Sequence, residues 1–189
     1  MNELTAVWKR RDIPGHEACR VMQTDDTWRL IGTAVLLYES EPCSLSYQID
    51  CDANWVTRST EVTGWVGRRT IDINVVHHGN GCWKLNQRDC DEVEGCSDVD
   101  LNFSPATNLL PIRRLNLKVG EMAQVRAAWL RFPSFNLEPL VQSYTRLEQN
   151  RYRYESASGR FITELTVDAG GLVVDYGKFW SREVPEAIK

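Results

Sequence analysis

Polar and apolar residues alternate along most of this chain. In residues 44–52, every odd position from 45 to 51 is apolar and the positions between them are polar. Successive side chains of a β-strand point to opposite faces, so this segment predicts a strand with one buried face. The same alternation recurs in three further segments, 69–77, 151–155 and 161–167.

Two turn sequences predict β-hairpins. Residues 168–171 read Asp-Ala-Gly-Gly between two alternating runs, and the glycines supply the positive φ angles that tight hairpins need. Residues 24–27, Thr-Asp-Asp-Thr, predict a second hairpin that leads into 28–38. The middle of that run is apolar on both faces, so we expect this strand to be packed on both sides.

These runs together predict about ten to twelve strands, at the spacing of a β-sandwich or a β-barrel. Residues 121–132 fit a helix through their 3.6-residue period, but their aromatic content and their neighbours favour a strand. The chain has no internal repeat, low-complexity tract or linker. It is therefore predicted to be an all-β protein with a single domain over residues 1–189.

The segment 98–117, DVDLNFSPATNLLPIRRLNL, carries charged residues into an apolar stretch. Asp98, Asp100 and Asn102 alternate with apolar residues and are predicted to share one face of a strand. After a loop with two prolines, a second strand-like run places Arg113 on the face of positions 115, 117 and 119, which are apolar. A guanidinium in that position needs a partner, because an unpaired buried charge is costly.

Charge and hydropathy exclude several classes of function. The net charge is −4, with acids and bases interspersed, so no basic stripe favours binding to nucleic acid. The N-terminal residues contain no apolar segment typical of a secretion signal, and no window approaches eighteen apolar residues. We therefore expect no membrane span and a cytoplasmic location.

The six cysteines are widely spread and form no Cys-x-x-Cys pair. Without a secretion signal, reduced thiols are the expected state, several of them buried as small apolar side chains. A zinc site that uses Cys82, Cys90 and Cys96 with His77 or His78 is the alternative. Structural zinc sites normally take closely spaced ligand pairs, so the sequence predicts no metal and no cofactor.

The number of strands bears on function. A closed sheet of about eight strands is just filled by its own side chains, and additional strands widen it. About eleven strands with one apolar face must therefore flatten into a sandwich, take up a plug or leave a cavity. Pattern alone leaves a solid core and a hollow barrel equally open. A cavity with a few polar groups suits an amphiphile.

Motifs along nearly the whole chain resemble the putative glycolipid-binding family. They comprise Trp8, 14–17 (PGHE), 32–35 (GTAV), Tyr47, Trp55, Thr57, Arg58, 81–83 (GCW), 95–101 (GCSDVDL), 107–115 (TNLLPIRRL), 142–145 (QSYT), 152–156 (YRYES), Phe161, 171–173 (GLV), Tyr176, Trp180 and Arg182. The resemblance implies one large antiparallel sheet curled into an open barrel or half-barrel, similar to bacterial lipoprotein-carrier barrels. It also implies an interior that could take a lipid or glycolipid. The cysteine-rich, acidic residues 87–94 depart from the family pattern and are predicted to lie in a loop.

A set of charged and amide residues forms the candidate polar site. They are Arg58, Asp98, Asp100, Asn108, Arg113 and Arg114. As a headgroup clamp, the arginines would bind phosphate, carboxylate or hydroxyls, and the acids and the amide would bind sugar hydroxyls. As a structural network, the same residues would pair inside the sheet. Trp55, Tyr144 and Tyr154 would line the ligand or belong to the core.

Three functions remain open. The leading hypothesis is a non-catalytic binding or carrier protein for a small amphiphilic ligand, a lipid or glycolipid, held in a β-barrel cavity. The second is a hydrolase on a small glycoside or ester, in which Asp98 and Asp100, two residues apart on one strand face, act as a carboxylate pair. The third is a structural or interaction protein with a solid core. No catalytic residue is assigned under the first hypothesis, and the oligomeric state is left open.

Overall fold

The computed structural model of the protein describes residues 3–79 and 81–184. Over these residues the chain forms fifteen β-strands, one short α-helix and three 3-10 turns. The strands are β1 (Glu3–Arg10), β2 (Gly15–Thr24), β3 (Thr27–Tyr38), β4 (Glu41–Cys51), β5 (Thr57–Val66), β6 (Arg69–His77), β7 (Trp83–Leu85), β8 (Arg88–Asp89), β9 (Asp98–Leu101), β10 (Met122–Arg131), β11 (Asn136–Glu148), β12 (Arg151–Ser156), β13 (Phe161–Val167), β14 (Val173–Tyr176) and β15 (Trp180–Arg182). The helix is α1 (Leu109–Leu115), and the 3-10 turns are Asp91–Val93, Ala106–Asn108 and Ala157–Gly159. Among these described residues, no helix has the length and apolar character needed to cross a membrane.

All of the described strands belong to one sheet, which is not closed. One antiparallel meander runs from β1 to β8 and a second from β10 to β15, and they join where β1 pairs with β15. Strand β9 pairs in parallel with β10 and forms one edge of the sheet, while β8 forms the other. The predicted all-β fold of one large antiparallel sheet is therefore confirmed.

The fifteen described strands exceed the predicted ten to twelve. Ten have six residues or more and five have two to four residues. The short strands β7, β8 and β15 were not predicted, because two or three residues are too few to show alternation. Both predicted hairpins are confirmed: Thr24 pairs with Thr27 between β2 and β3, and residues 168–171 lie in the turn between β13 and β14. The ambiguous segment 121–132 contains a strand, β10.

The prediction that 28–38 packs on both sides is wrong. In β3 the residues that face inward, such as Leu30 and Ala34, are fully buried, whereas Ile31, Val35 and Leu37 are exposed. An antiparallel sheet needs only one covered face. Apolar side chains on its outer face are tolerated because much of any protein surface is apolar.

Arg113 and Arg114 lie on helix α1, so the prediction of a second strand in 98–117 is also wrong. The helix has only seven residues, which is too short a window to distinguish a helical period from alternation. Pro111 stands in its first turn, where a backbone N–H has no acceptor within the helix. The helix ends at Asn116, which adopts a left-handed conformation with φ 43°.

Helix α1 packs on the inner face of the second meander. Ile112 belongs to a buried cluster with Tyr144, Tyr152 and Leu165, which come from β11, β12 and β13. Gly171, at φ +93°, allows the β13–β14 turn to approach the helix, since a Cβ atom there would lie 3.0 Å from Leu109 Cδ1. The helix thus fills part of the space that the curled sheet encloses.

A larger apolar cluster fills most of the remaining interior. Its largest fully buried side chains are Trp8, Trp83, Phe103, Leu30, Leu45, Ile49, Leu101, Leu109, Leu110 and Leu130. The indole of Trp8 also donates a hydrogen bond to the Val173 carbonyl oxygen at 2.7 Å, which links β1 to β14. The interior is therefore largely solid, and space for a ligand remains only where these clusters end.

Close packing at Gly32 gives a test of the fold. Gly32 lies on the inner face of β3 next to Tyr47 of β4, and a Cβ atom there would lie 2.3 Å from the Tyr47 hydroxyl oxygen. We expect Gly32→Ala to lower the free energy of unfolding by about 1–3 kcal/mol, as overpacked cores do, in urea titrations. Gly79→Ala is the control, because its Cβ would approach only Arg58 Nη1, at 3.8 Å. Equal losses in the two variants would contradict the packing described for Tyr47.

Candidate functional site

A cavity of about 310 Å³ opens between strand β9 and the ends of β12 to β15. Six aromatic residues of its lining form what we call the aromatic wall: Trp129, Tyr154, Phe161, Tyr176, Phe179 and Trp180. Polar groups from β9 and the segment that follows it also line the cavity, including Asp100, Asn102, Ser104 and Asn108. We call this space the aromatic cavity.

The aromatic wall is ordered by contacts between its own rings. The rings of Tyr154 and Phe161 meet edge to face with centroids 5.9 Å apart, and those of Tyr176 and Phe179 do so at 5.8 Å. The guanidinium of Arg10 lies 5.1 Å from the centroid of the Trp180 ring. Such edge-to-face and cation–π contacts are favourable and help to hold the rings in place.

Asp100 places a carboxyl group in the aromatic cavity. Its Oδ2 accepts a hydrogen bond from Gln142 Nε2 at 2.5 Å. Burial raises the pKa of Asp100 to about 6; the hydrogen bond from Gln142 lowers it and the charge of Asp98 adds to the rise. Asp100 is therefore mainly ionised at neutral pH, without a cation bound to it among the described residues.

Asn108 and two tyrosines adjoin Asp100. The Tyr144 hydroxyl donates a hydrogen bond to Asn108 Oδ1 at 3.1 Å, which orients the amide. The Tyr144 and Tyr154 rings meet at a centroid distance of 5.1 Å, and Tyr154 lines the cavity directly. Of the nine predicted site residues, Asp100, Asn108 and Tyr154 line the aromatic cavity, and Tyr144 supports them from behind.

Glu17, a residue that the sequence analysis did not select, lies fully buried behind Ser104. Its Oε1 accepts hydrogen bonds from the hydroxyls of Tyr47 and Ser104, both at 2.6 Å, and its Oε2 has no partner. Burial raises the pKa of Glu17 to about 8, against the opposing effects of Ser104, Tyr47 and Arg10. The sequence held one signal for it: in an alternating strand, Glu17 shares a face with Cys19 and Val21.

Asp98 and Arg114 form a buried ion pair away from the aromatic cavity. Arg114 Nε and Nη2 donate to the two Asp98 carboxylate oxygens at 3.0 and 2.5 Å. The Asp98 side chain is only 2% exposed and that of Arg114 only 20%. Burial raises the pKa of Asp98, and the bond and charge of Arg114 lower it. Both carboxylate oxygens are thus already bound by a guanidinium.

The remaining predicted residues lie elsewhere. The guanidinium of Arg113 stacks over the Trp55 ring at 5.4 Å from its centroid and faces a separate polar cleft. Arg58 is exposed and donates to Asp52 Oδ2 at 2.6 Å. The fold therefore distributes the predicted polar set over four places: the aromatic cavity, the Asp98–Arg114 pair, the cleft of Arg113 and the exposed pair of Arg58 with Asp52. Helix α1 contributes to this, because it directs its two arginines to different partners.

The described residues contain no group of three or more His, Cys, Asp or Glu side chains that could hold a metal ion. Four of the cysteines, Cys19, Cys43, Cys51 and Cys96, are buried among apolar neighbours. Burial raises the pKa of Cys19 to about 12 and that of Cys96 to about 11, which keeps these thiols protonated.

Comparison with known proteins places the chain in a family. Residues 5–182 match the family model described as putative glycolipid-binding, and the chain belongs to this family, as its motifs indicated. A crystal structure of a DUF1089 family protein from Pseudomonas aeruginosa has a similar fold. Its TM-score is 0.76 and its sequence identity 28%, over 97% of this chain and 93% of that one. No curated protein matches the chain.

The buried pair and the exposed pair should respond differently to loss of their arginine. We expect Arg114→Ala to lower the free energy of unfolding by about 3–5 kcal/mol, because Asp98 is left buried without a partner. Arg58→Ala, which breaks the exposed pair with Asp52, should cost less than about 1 kcal/mol. Urea titrations of both variants measure this difference. Similar losses of unfolding free energy in the two variants would contradict the description of Asp98 and Arg114 as a buried ion pair.

Glu17 should make stability depend on pH. In the unfolded chain its carboxyl ionises near 4.5, whereas in the folded protein the pKa is about 8. The folded state holds the proton more tightly between these values, so the free energy of unfolding should fall as pH rises from about 4.5 to about 8. Glu17→Gln should remove that fall in urea titrations at several pH values.

Asp100 also lowers the free energy of unfolding as pH rises, but its contribution ends near its own pKa of about 6. Measurements from pH 6.5 to 8 therefore separate the contribution of Glu17 from that of Asp100. Asp100→Asn is therefore the control, and its curve should run parallel to that of the unmodified protein in this range. Parallel curves for Glu17→Gln and the unmodified protein would mean that Glu17 ionises normally in the folded state.

Proposed function

Starting from its membership of the putative glycolipid-binding family, we propose that this protein binds an amphiphile with a sugar-like head in the aromatic cavity and catalyses no reaction on it. The observation that carries the proposal is that the aromatic wall and the polar side chains of Asp100 and Asn108 line the same cavity. A role as a carrier in the cytoplasm is part of the same proposal.

The mixed lining of the cavity suits a sugar ring, which has both apolar C–H groups and hydroxyls. Aromatic rings such as Trp180 and Phe161 offer flat apolar surface to the C–H groups of a pyranose. Asp100 accepts hydrogen bonds from hydroxyls, and the Asn108 amide both donates and accepts. Arg10, held over Trp180, adds donors at the rim. Binding sites for small molecules commonly combine a mainly apolar lining with a few placed polar groups in this way.

The size of the cavity limits the ligand. At about 310 Å³ it stands at the lower end of the range for small-molecule sites. The interior beyond it is filled by the two apolar clusters. The cavity therefore suits one sugar head with the first part of its chain, and the rest of a long chain would lie outside the cavity.

The geometry gives less support to a hydrolase that uses Asp98 and Asp100. A carboxylate pair must face one substrate, with one group as acid and the other as base or nucleophile. Asp100 lines the aromatic cavity, whereas both oxygens of Asp98 are bound by Arg114. A non-catalytic site therefore agrees better with the arrangement of these two acids.

The outer face of β1 to β3 bears on the interaction-protein alternative. It exposes Val7, Ile31 and Val35, but Ile31 pairs across the strands with Arg20 and Val35 with His16. The exposed apolar side chains are thus interrupted by cationic or ionisable ones, and a continuous apolar patch is what marks a protein-binding surface. The aromatic cavity is the stronger candidate.

Octyl glucoside, a sugar with one short alkyl chain, is a suitable probe. We expect saturable binding by isothermal titration calorimetry below its critical micelle concentration, and a one-to-one adduct in native mass spectrometry. Asn102→Trp should abolish binding, because Asn102 is an exposed residue of the cavity lining and a larger side chain there fills the opening. Asp100→Asn should weaken it about tenfold through loss of a charged hydrogen-bond acceptor.

Asn54→Trp is the matched control, since Asn54 is exposed and lies outside the cavity lining. It should bind octyl glucoside like the unmodified protein. Equal binding by Asn102→Trp and Asn54→Trp would place the probe outside the aromatic cavity and overturn the proposal.

A further inference from the structure

A second cleft, also of about 310 Å³, lies at the C-terminal end of helix α1. Its polar lining comes from the last turn and C-cap of the helix, from β11, from the β11–β12 turn and from β12, namely Arg113, Asn116, Arg146, Gln149, Asn150 and Tyr152. The aromatic cavity is at the other end of the helix, where Asn108 precedes its first residue. We call this second space the arginine cleft.

Arg146 is held in the arginine cleft by backbone carbonyl groups. Its Nη1 donates to the Leu117 oxygen at 2.6 Å, and its Nε and Nη2 donate to the Gln149 oxygen at 3.2 and 2.5 Å. Its guanidinium also lies 5.6 Å from the centroid of the Tyr152 ring. Three of its five N–H groups are used in this way, so two remain for a ligand. The cation is thus oriented in advance, with no carboxylate bound to it in the described part of the chain.

Arg113 brings a second guanidinium to the same cleft. It stacks on the Trp55 ring, which fixes the plane of the guanidinium and leaves its N–H edges available. Within the described ranges, 3–79 and 81–184, Arg113 forms no ion pair. The cleft therefore contains two arginines whose charges no acid of the described chain neutralises directly.

One acid, Asp168, also lines the cleft, but its two oxygens are already engaged. Oδ1 accepts the Leu172 backbone N–H at 3.0 Å, and Oδ2 accepts Arg182 Nη1 at 2.7 Å. Arg182 thereby balances its charge. The charges that face the cleft, counted as Arg113, Arg146 and the Asp168–Arg182 pair, sum to a positive value, which attracts an anion.

The neighbouring groups define the rest of the ligand. Burial raises the pKa of the Tyr152 hydroxyl, and the charges of Arg146 and Arg113 lower it. This hydroxyl therefore lies close enough to both guanidiniums to interact with their charges. The side chains of Asn116, Gln149 and Asn150 add amide donors and acceptors around it. Arginine recognises phosphate through planar, multiple hydrogen bonds, and amides recognise hydroxyls.

We propose that the arginine cleft binds the phosphate of a phosphorylated sugar or polyol, either as a free phosphate ester or as the head group of a phospholipid. The site is separate from the aromatic cavity and does not depend on the function proposed above. Helix α1 and the side chains packed around Ile112 stand between the two.

Glucose 6-phosphate and vesicles that contain phosphatidylglycerol are the probes. At low ionic strength we expect saturable binding of glucose 6-phosphate by isothermal titration calorimetry, if the free ester is the source. Sedimentation with the anionic vesicles, and not with phosphatidylcholine vesicles, would identify the lipid head instead. Either result supports the site, provided that the variants below respond.

Two variants test the cleft itself. Gln149→Glu adds a negative charge with almost no change of shape and keeps the backbone carbonyl that binds Arg146. Arg113→Gln removes one guanidinium. Each should weaken binding at least tenfold, as loss of one charge-assisted contact does. Arg153→Gln is the control, because Arg153 is exposed and pairs with Glu155.

Asn102→Trp, which blocks the aromatic cavity, should leave binding of glucose 6-phosphate unchanged and so separates the two proposals. The cleft proposal is overturned if neither probe binds. It is also overturned if Arg153→Gln weakens binding as much as Arg113→Gln, since the anion would then respond only to the overall charge of the protein.

Discussion

The structure depends on the contacts that cover the outer edge of β9, the strand at one end of the sheet. An edge strand with unpaired backbone groups is open to pairing with other chains. Thr57, at the start of β5, covers this one: its N–H donates to the Ser97 oxygen at 3.1 Å, and its hydroxyl accepts the Val99 N–H at 3.0 Å. Its own carbonyl receives a hydrogen bond from His77 Nδ1 at 2.7 Å. One fully buried threonine thus connects the first meander to the edge of the second, and α1 and both ligand spaces lie within the sheet that is held in this way.

The three acids whose pKa burial raises fall into two groups, because a guanidinium binds Asp98 and only neutral donors bind Asp100 and Glu17. Asp98 has Arg114 on both oxygens, and in that setting a carboxylate serves packing and register. Asp100 and Glu17 have only neutral donors, and burial raises both pKa values. Perturbed groups of this kind beside a cavity are typical of functional sites. Helix α1 makes the separation, because successive residues of a helix point in different directions and Arg113 is therefore carried away from its neighbour Arg114.

The fold followed from the sequence further than the site did. Alternation located the long strands because each has one covered face, as in 44–52, which became most of β4. The same rule misplaced Arg113, since a helix of seven residues shows no period that a strand cannot imitate. Local sequence pattern could not identify partners that are distant in the chain. Glu17, for example, accepts a hydrogen bond from Ser104, which is 87 positions later. Asp100 and Asn108 could be selected as polar residues in an apolar segment, but the aromatic wall of the same cavity is assembled from five strands and the loop between β14 and β15.

The pairing of β1 with β15 has a consequence for biosynthesis. Translation delivers the first meander, β1 to β8, with one side of β1 unpaired, and its neighbour there is the last strand to be made. The inner face of this nascent half, with Trp8 upon it, has no cover until the second half has left the ribosome. Contacts between residues so distant in the chain form slowly, and exposed apolar surface invites association during the delay. The pairing of β1 with β15 therefore forms only after β15 has been made, and the newly made first half is the stage at which a chaperone would have most to protect.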